Sequence, residues 1–177
     1  MRILLLALTF LTTTAAAQPP ATQAPELSPD LGPLKIFVGK WEINAKWTSG
    51  STLWARNDYR VGLGGKFIEA STFAKDGEGE VYERYRTVFF WDKVEKTFVT
   101  HGYSFDGTVS IVNLKSEKTE DGRTIVESQW NPAGGSMTVK QRLEAIDNDS
   151  YSWKVWGREG DDGEWNPMMD GVWKRVK

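Results

Sequence analysis

Apolar and polar residues alternate with a period of two from Phe37 to Trp47. Every second residue is apolar or glycine, and the other face carries mainly lysine, glutamate and asparagine. This period is the one that a β-strand with one buried face requires. The segment therefore predicts a strand that lies between a core and solvent.

Nine further segments rich in aromatic or β-branched residues follow the first one, and each predicts a strand. They comprise residues 53–61, 66–73, 81–91, 97–105, 108–114, 124–130, 136–145, 150–158 and 168–176. Short turn sequences separate them, such as Asp106-Gly107 and Asp121-Gly122, in which glycine readily supplies the positive φ of a tight hairpin. Consecutive strands are therefore expected to pair antiparallel.

About ten strands in such a series predict an all-β fold, an antiparallel up-and-down β-barrel, because closure removes the two exposed edges of an open sheet. A two-sheet sandwich is the alternative, since it also produces short alternating strands. Short connections favour the barrel. The only predicted helix covers Asp30 to Ile36, where it would plug one end of the barrel.

The first 32 residues predict no part of the barrel. Residues 1–17 have a positive start, an apolar run and a small-residue end at Ala15-Ala16-Ala17, as in a secretory signal peptide. Residues 18–32 are rich in proline and polar residues and predict a disordered tether. The expected domain is residues 33–177, in a secreted or periplasmic protein without a membrane-spanning segment after cleavage.

The composition excludes several kinds of chemistry. The chain has no cysteine and one histidine, which rules out thiolate catalysis and argues against a typical zinc site. The formal net charge of −2, with both signs interleaved, argues against a nucleic-acid partner. The sequence contains no recognisable nucleophile motif, so we predict no catalytic residues, no metal and no cofactor.

Both ends of the predicted domain resemble calycins, the superfamily of the lipocalins. Gly39-Lys40-Trp41 is similar to the glycine-x-tryptophan opening of that superfamily, and the chain ends in Gly171-Val172-Trp173-Lys174-Arg175. The resemblance implies that Arg175 covers Trp41 and closes the barrel, with Gly39 beside them. The whole layout is similar to a secreted bacterial calycin-like family of unknown function.

Nitrobindins, a related group of ten-stranded calycins, bind haem through a histidine late in the chain. This sequence has Trp173 in that region and no histidine. His101 shares a predicted strand face with Val99, Tyr103 and Phe105, and we expect this aromatic face to point inward. His101 is then either a hydrogen-bonded core residue or a ligand to a bound group.

Aromatic stripes along the strands suggest a small hydrophobic ligand inside the barrel, bound by a few polar or aromatic groups. The same stripes are also compatible with a completely filled interior. The candidate ligand-binding residues are Asn57, Tyr59, Tyr85, His101, Tyr103 and Trp153.

Two other functions remain open from the sequence. One is an enzyme at the barrel mouth, with an interior Glu69 or His101 acting as a base. Its requirement is that a carboxylate or imidazole be buried inside the barrel. The other is a protein-interaction module of the cell envelope.

Overall fold

A computed structural model of the chain describes residues 25–132 and 135–177. A 3₁₀ helix, Pro29–Phe37, precedes the first strand, and a short 3₁₀ turn, Leu63–Gly65, follows the second. The strands are β1 (Gly39–Lys46), β2 (Thr52–Gly62), β3 (Phe67–Asp76), β4 (Tyr82–Asp92), β5 (Thr97–Ser104), β6 (Val109–Lys118), β7 (Thr124–Trp130), β8 (Met137–Asp147), β9 (Ser150–Glu159) and β10 (Asn166–Arg175).

The ten strands form one closed antiparallel barrel in which every strand pairs with its neighbours in sequence and β10 returns to β1. At the closure, Trp41 pairs with Arg175 and Glu42 with Lys174. The predicted up-and-down barrel is confirmed, and the sandwich alternative is wrong. The hairpin glycines Gly107 and Gly122 have φ of 86° and 82°, as the two Asp-Gly turns require.

The 3₁₀ helix covers the end of the barrel where β1 begins and β10 ends, which we call the closed end. Its residues Leu31, Leu34 and Phe37 are buried in the core, and the helix contacts β4 and β7. The opposite end, where β1 ends and β10 begins, is called the open end, because no helix of the described residues covers it. No helix among the described residues is long and apolar enough to cross a membrane.

Residues before Pro33 pack against the barrel, although the composition places them in the tether. The helix starts at Pro29, Leu31 is fully buried, and the backbone N–H of Ser28 donates to the carbonyl of Gly65 at 2.8 Å. The predicted tether boundary at residue 32 therefore differs from the structure, because the apolar side chain of Leu31 packs under a barrel end that the sequence does not reveal. The predicted signal peptide, residues 1–17, and residues 18–24 lie outside the described residues.

The faces of the barrel follow from the strand register, because directly paired residues of antiparallel strands point to the same side of a sheet. Trp41 is fully buried and pairs with Asn57, which in turn pairs with Thr72. The same rule, carried round all ten strands, assigns each residue to the inner or the outer wall. Phe37, predicted on the first strand, is instead the last residue of the helix, where it is still buried.

Candidate functional site

One inner wall near the open end is built from small side chains. Thr72, Thr87, Gly102 and Ser110 lie on adjacent strands from β3 to β6, and each points inward by its register. All four are only partly buried. Their small size and partial exposure make these four positions the least filled part of the inner wall near the open end.

The facing wall carries larger groups held by hydrogen bonds. Gln141 donates through Nε2 to the hydroxyl of Ser128 at 3.0 Å, and it accepts from the indole N–H of Trp153 at 3.0 Å. β9, which carries Trp153, lies five strands from β4 in either direction round the barrel. Trp153 therefore lies on the strand directly across the barrel from β4, and the amide of Gln141 on β8 is held beside it.

Further toward the closed end the interior is nearly filled. The ring centroids of Trp41 and Tyr151 are 4.7 Å apart in an edge-to-face contact, and Tyr151 stacks on Trp173 at 5.9 Å. A cavity of about 20 Å³ remains, close to the space that one water molecule needs. It is lined by Leu34, Phe37, Tyr59, Ile68, Phe89, Val126 and Leu143.

A buried polar cluster lies beside this cavity and consists of Asn57, Tyr59 and Tyr151. Asn57 Nδ2 donates to the Tyr59 hydroxyl at 3.2 Å. Burial raises the pKa of Tyr59 to about 12 and that of Tyr151 well above its usual value of 10. Both phenols therefore stay neutral and keep a proton to donate at physiological pH.

Four of the six candidate ligand-binding residues lie on inner-face positions. Asn57 and Tyr59 belong to the buried cluster, and Trp153 belongs to the wall with Gln141. Tyr85 pairs with Thr72 on the inner wall, but its side chain is 46% exposed at the open rim. Partial burial raises the pKa of Tyr85.

The prediction that His101 and Tyr103 point into the barrel is wrong. His101 pairs with Ile111, which is 68% exposed, and its ring contacts Phe90 on the outer surface at 5.2 Å. Tyr103 is 45% exposed on the same outer face. The inward face of β5 instead carries Phe98. Each face of this strand carries an aromatic residue, so the aromatic pattern alone does not indicate which face is inside.

Glu69 is also on the outer wall, because it pairs with the exposed Arg60. The barrel-mouth enzyme hypothesis therefore has neither of its two proposed bases inside the barrel. Among the described residues, inward-facing positions between the two rims carry no lysine, histidine, aspartate or glutamate, and their one arginine is Arg175, which covers Trp41 at the closed end. No group of three metal-ligating side chains occurs within the same residues.

At the barrel closure, the Arg175 guanidinium lies 4.1 Å from the centroid of the Trp41 ring. It also donates to the carbonyls of Val38 at 2.8 Å and Ile36 at 3.0 Å. Gly39 has a φ of 128°, and a Cβ there would lie 2.3 Å from Arg175 Nη1. This is the arrangement that the calycin resemblance implies, and its contacts are structural.

Sequence reasoning missed Gln141, Ser128, Thr87 and Tyr151 as interior polar groups. One signal for Gln141 was present, since it interrupts the apolar series Met137, Val139, Leu143 on one face of a strand. No pattern in the sequence shows that Tyr151 and Asn57 meet, because they lie on β9 and β2, far apart in the chain.

The sequence matches no protein-family model and no curated protein. Among solved structures, Rv2717c from M. tuberculosis is similar, with 13% sequence identity and a TM-score of 0.64 over 86% of this chain and 100% of that chain. The S-type phycobiliprotein lyase CPES from Guillardia theta is similar, with 12% identity and a TM-score of 0.52 over 81% and 90% of the two chains. The chain therefore shares its overall fold, a closed antiparallel barrel of ten strands, with these two structures.

Proposed function

We propose that this protein binds a small, largely apolar organic molecule in the open half of its barrel. The observation that carries the proposal is the pair of facing inner walls. Small residues such as Thr87 and Gly102 leave space on one side, and Gln141 and Trp153 present a fixed amide and an aromatic ring on the other. Ligand pockets in proteins commonly combine an apolar lining with a few placed polar groups.

In the open half of the barrel, the described inner positions below the rim carry no charged side chain, which supports an uncharged ligand body. An ion brought into this space would lose its hydration without gaining a counter-ion. Trp153 and Gln141 are already hydrogen-bonded to each other, which holds both in place before a ligand arrives. Such preorganisation reduces the entropy lost on binding.

A blocking variant tests the proposal. The probes are the uncharged molecules retinol, oleyl alcohol and pyrene, and binding is followed by quenching of tryptophan fluorescence. Thr87→Phe fills the space inside the barrel, whereas Val88→Phe on the next residue places the same ring on the outer wall. We expect at least one probe to bind the wild type saturably, and its Kd to rise about tenfold or more in Thr87→Phe only.

If Thr87→Phe does not fold, Ser110→Leu is the second variant, because it also places a larger side chain inside the barrel. Failure of all three probes to bind, or equal affinity in the blocked and control variants, would overturn the proposal. Native mass spectrometry of the protein purified from its own host weighs any retained molecule directly, and a bound mass lost in Thr87→Phe would support it.

We also propose that the protein is exported, on the basis of residues 1–17 alone. Cell fractionation followed by N-terminal sequencing tests this. A mature chain beginning at Gln18 outside the cytoplasm supports export, and an intact Met1 on a cytoplasmic protein contradicts it.

A further inference from the structure

The outer wall of β4, β5 and β6 carries apolar side chains that lie next to one another and face solvent. Ile111 and His101 are direct register partners, and so are Val109 and Tyr103. The ring centroids of His101 and Phe90 are 5.2 Å apart. Ile111 is 68% exposed, Val109 60% and Tyr103 45%. The three strands therefore present one connected apolar surface.

Phe105 extends this surface to the rim of the open end. It lies two residues beyond Tyr103 and is 66% exposed. Its ring contacts the ring of Tyr82, with the centroids 5.0 Å apart. We call the whole surface the outer apolar face, and its members are Phe90, His101, Tyr103, Phe105, Val109 and Ile111.

The outer apolar face differs from the rest of the outer wall. An antiparallel sheet with one side in water normally has polar residues on that side. β2 follows this rule, since its outer positions include Arg56, Asp58 and Arg60. β5, in contrast, has no lysine, arginine, aspartate or glutamate along its whole length. Contact with water alone does not account for this composition.

The size of the outer apolar face is close to that of a protein interface. With roughly 150–250 Å² of surface for a side chain of this size, the exposed fractions of its members add up to about 500 Å². Each partner in a stable complex buries about 800 Å². The face supplies more than half of that area, and the polar rim that surrounds interfaces of this kind supplies the remainder.

Charges at the border of the outer apolar face are matched by opposite charges of the same chain. On β4, Arg86 donates to the carboxylate of Glu83 at 2.8 to 3.0 Å. On β6, Lys115 lies opposite Glu127 of β7. A second copy of the face can therefore approach without burying an unpaired charge. A two-fold interface requires a surface that is complementary to itself, and a neutral apolar surface meets that requirement.

A lipid surface fits the same face less well. Proteins that bind a bilayer from one side commonly combine apolar groups with lysine or arginine, which attract anionic headgroups. Here the guanidinium of Arg86 is engaged by Glu83, and β5 provides no lysine or arginine.

We propose that the outer apolar face binds the same face of a second copy of this chain, so that the protein is a two-fold symmetric dimer. Ile111, Val109 and Phe105, the most exposed members, lose their contact with water in this dimer. The inference concerns the outside of the barrel and does not depend on the ligand proposed for its inside.

Sedimentation equilibrium of the purified protein, from about 1 to about 200 µM, tests the dimer. We expect the wild-type mass to rise with concentration toward twice that of one chain. Ile111→Lys places a charge in the interface and should raise the dimer Kd at least about tenfold. Val172→Lys is the matched control and should leave the Kd unchanged, because Val172 is exposed on β10, five strands away round the barrel.

Circular dichroism checks that the variants are folded, and Val109→Lys replaces Ile111→Lys if that variant is not. A wild type that stays monomeric over the whole range would overturn the proposal, and so would equal dimer Kd values for Ile111→Lys and Val172→Lys. Flotation with phosphatidylcholine vesicles covers the alternative partner. A monomeric protein that floats with the vesicles, and no longer does so as Ile111→Lys, would assign the face to lipid and overturn the dimer.

Discussion

Arg175 and Trp41, 134 positions apart in the chain, are direct register partners across the seam of the barrel, and the guanidinium lies 4.1 Å from the indole centroid. The same guanidinium donates to Ile36 and Val38, which join the 3₁₀ helix to β1. One cation therefore links the last strand, the first strand and the helix that covers the closed end.

Replacing Trp41 with alanine should destabilise the protein by about 3–5 kcal/mol, because Trp41 is fully buried and its removal leaves a large cavity. The expected decrease in Tm is about 10 °C. Trp54→Ala, on the outer face of β2, is the control and should cost much less. Equal Tm values for the two variants, measured by circular dichroism, would contradict the role of Trp41.

Arg175→Lys keeps the positive charge but replaces the planar guanidinium with an ammonium group. The guanidinium donates from separate nitrogens to two carbonyls, and lysine cannot reproduce that geometry. We expect a loss of about 1–3 kcal/mol in the free energy of unfolding, from the hydrogen bonds that lysine cannot reproduce. Urea denaturation measures it, with the exposed Arg60→Lys as control, for which the expected change is within about 0.5 kcal/mol.

Alanine at Gly39 should destabilise the fold by about 1–3 kcal/mol, since the backbone has a φ of 128° and the new Cβ would displace the Arg175 side chain. Gly32→Ala is the matched control, because that position has no atom within 4 Å of an added Cβ. Thermal melts of both variants give the comparison. Similar Tm values would show that the seam tolerates a side chain at Gly39.

The ordered domain should include residues before Pro33. Leu31→Ala removes a fully buried side chain from the helix and should cost about 2–4 kcal/mol, whereas Lys35→Ala, on the exposed side of that helix, should have little effect. Chemical denaturation distinguishes the two. A stable Leu31→Ala variant would restore the tether boundary that composition predicts at residue 32.

The buried phenols should make the protein sensitive to alkaline pH. In the unfolded chain Tyr59 ionises near pH 10, whereas the folded protein keeps it neutral up to a pKa of about 12. Between these values the unfolded state binds fewer protons, so stability falls as pH rises, by about 1.4 kcal/mol per pH unit for this group. Tyr151, whose pKa is also raised, adds to the same decline.

Phenolate absorbance during a pH titration measures this effect. Of the five tyrosines, Tyr59 and Tyr151 should ionise only at the highest pH or together with unfolding. In Tyr59→Phe, the fall in stability above pH 10 should be shallower by the contribution of one group. Ionisation of all five near pH 10 in a folded protein would contradict the burial of the cluster.

The strands were predictable to within a few residues, because alternation and Asp-Gly turns are local properties. The candidate site was predictable only in part. Asn57 and Trp153 lie in stripes with one clearly apolar face, whereas the strand of His101 has Phe98 and Thr100 on one face and Val99 and Tyr103 on the other. Because apolar residues occur on both faces of this strand, the alternation of apolar and polar residues does not show which face is inside the barrel.

The sequence alone determined the number of strands, their antiparallel order and the pairing of neighbours, since each depends on residues close together in the chain. Only the tertiary structure decided which face of β5 is inner, that Leu31 packs under the barrel, and that Asn57 meets Tyr151. Those outcomes depend on the closure between β1 and β10, which sets the curvature and register of all ten strands at once and has no local signal in the sequence.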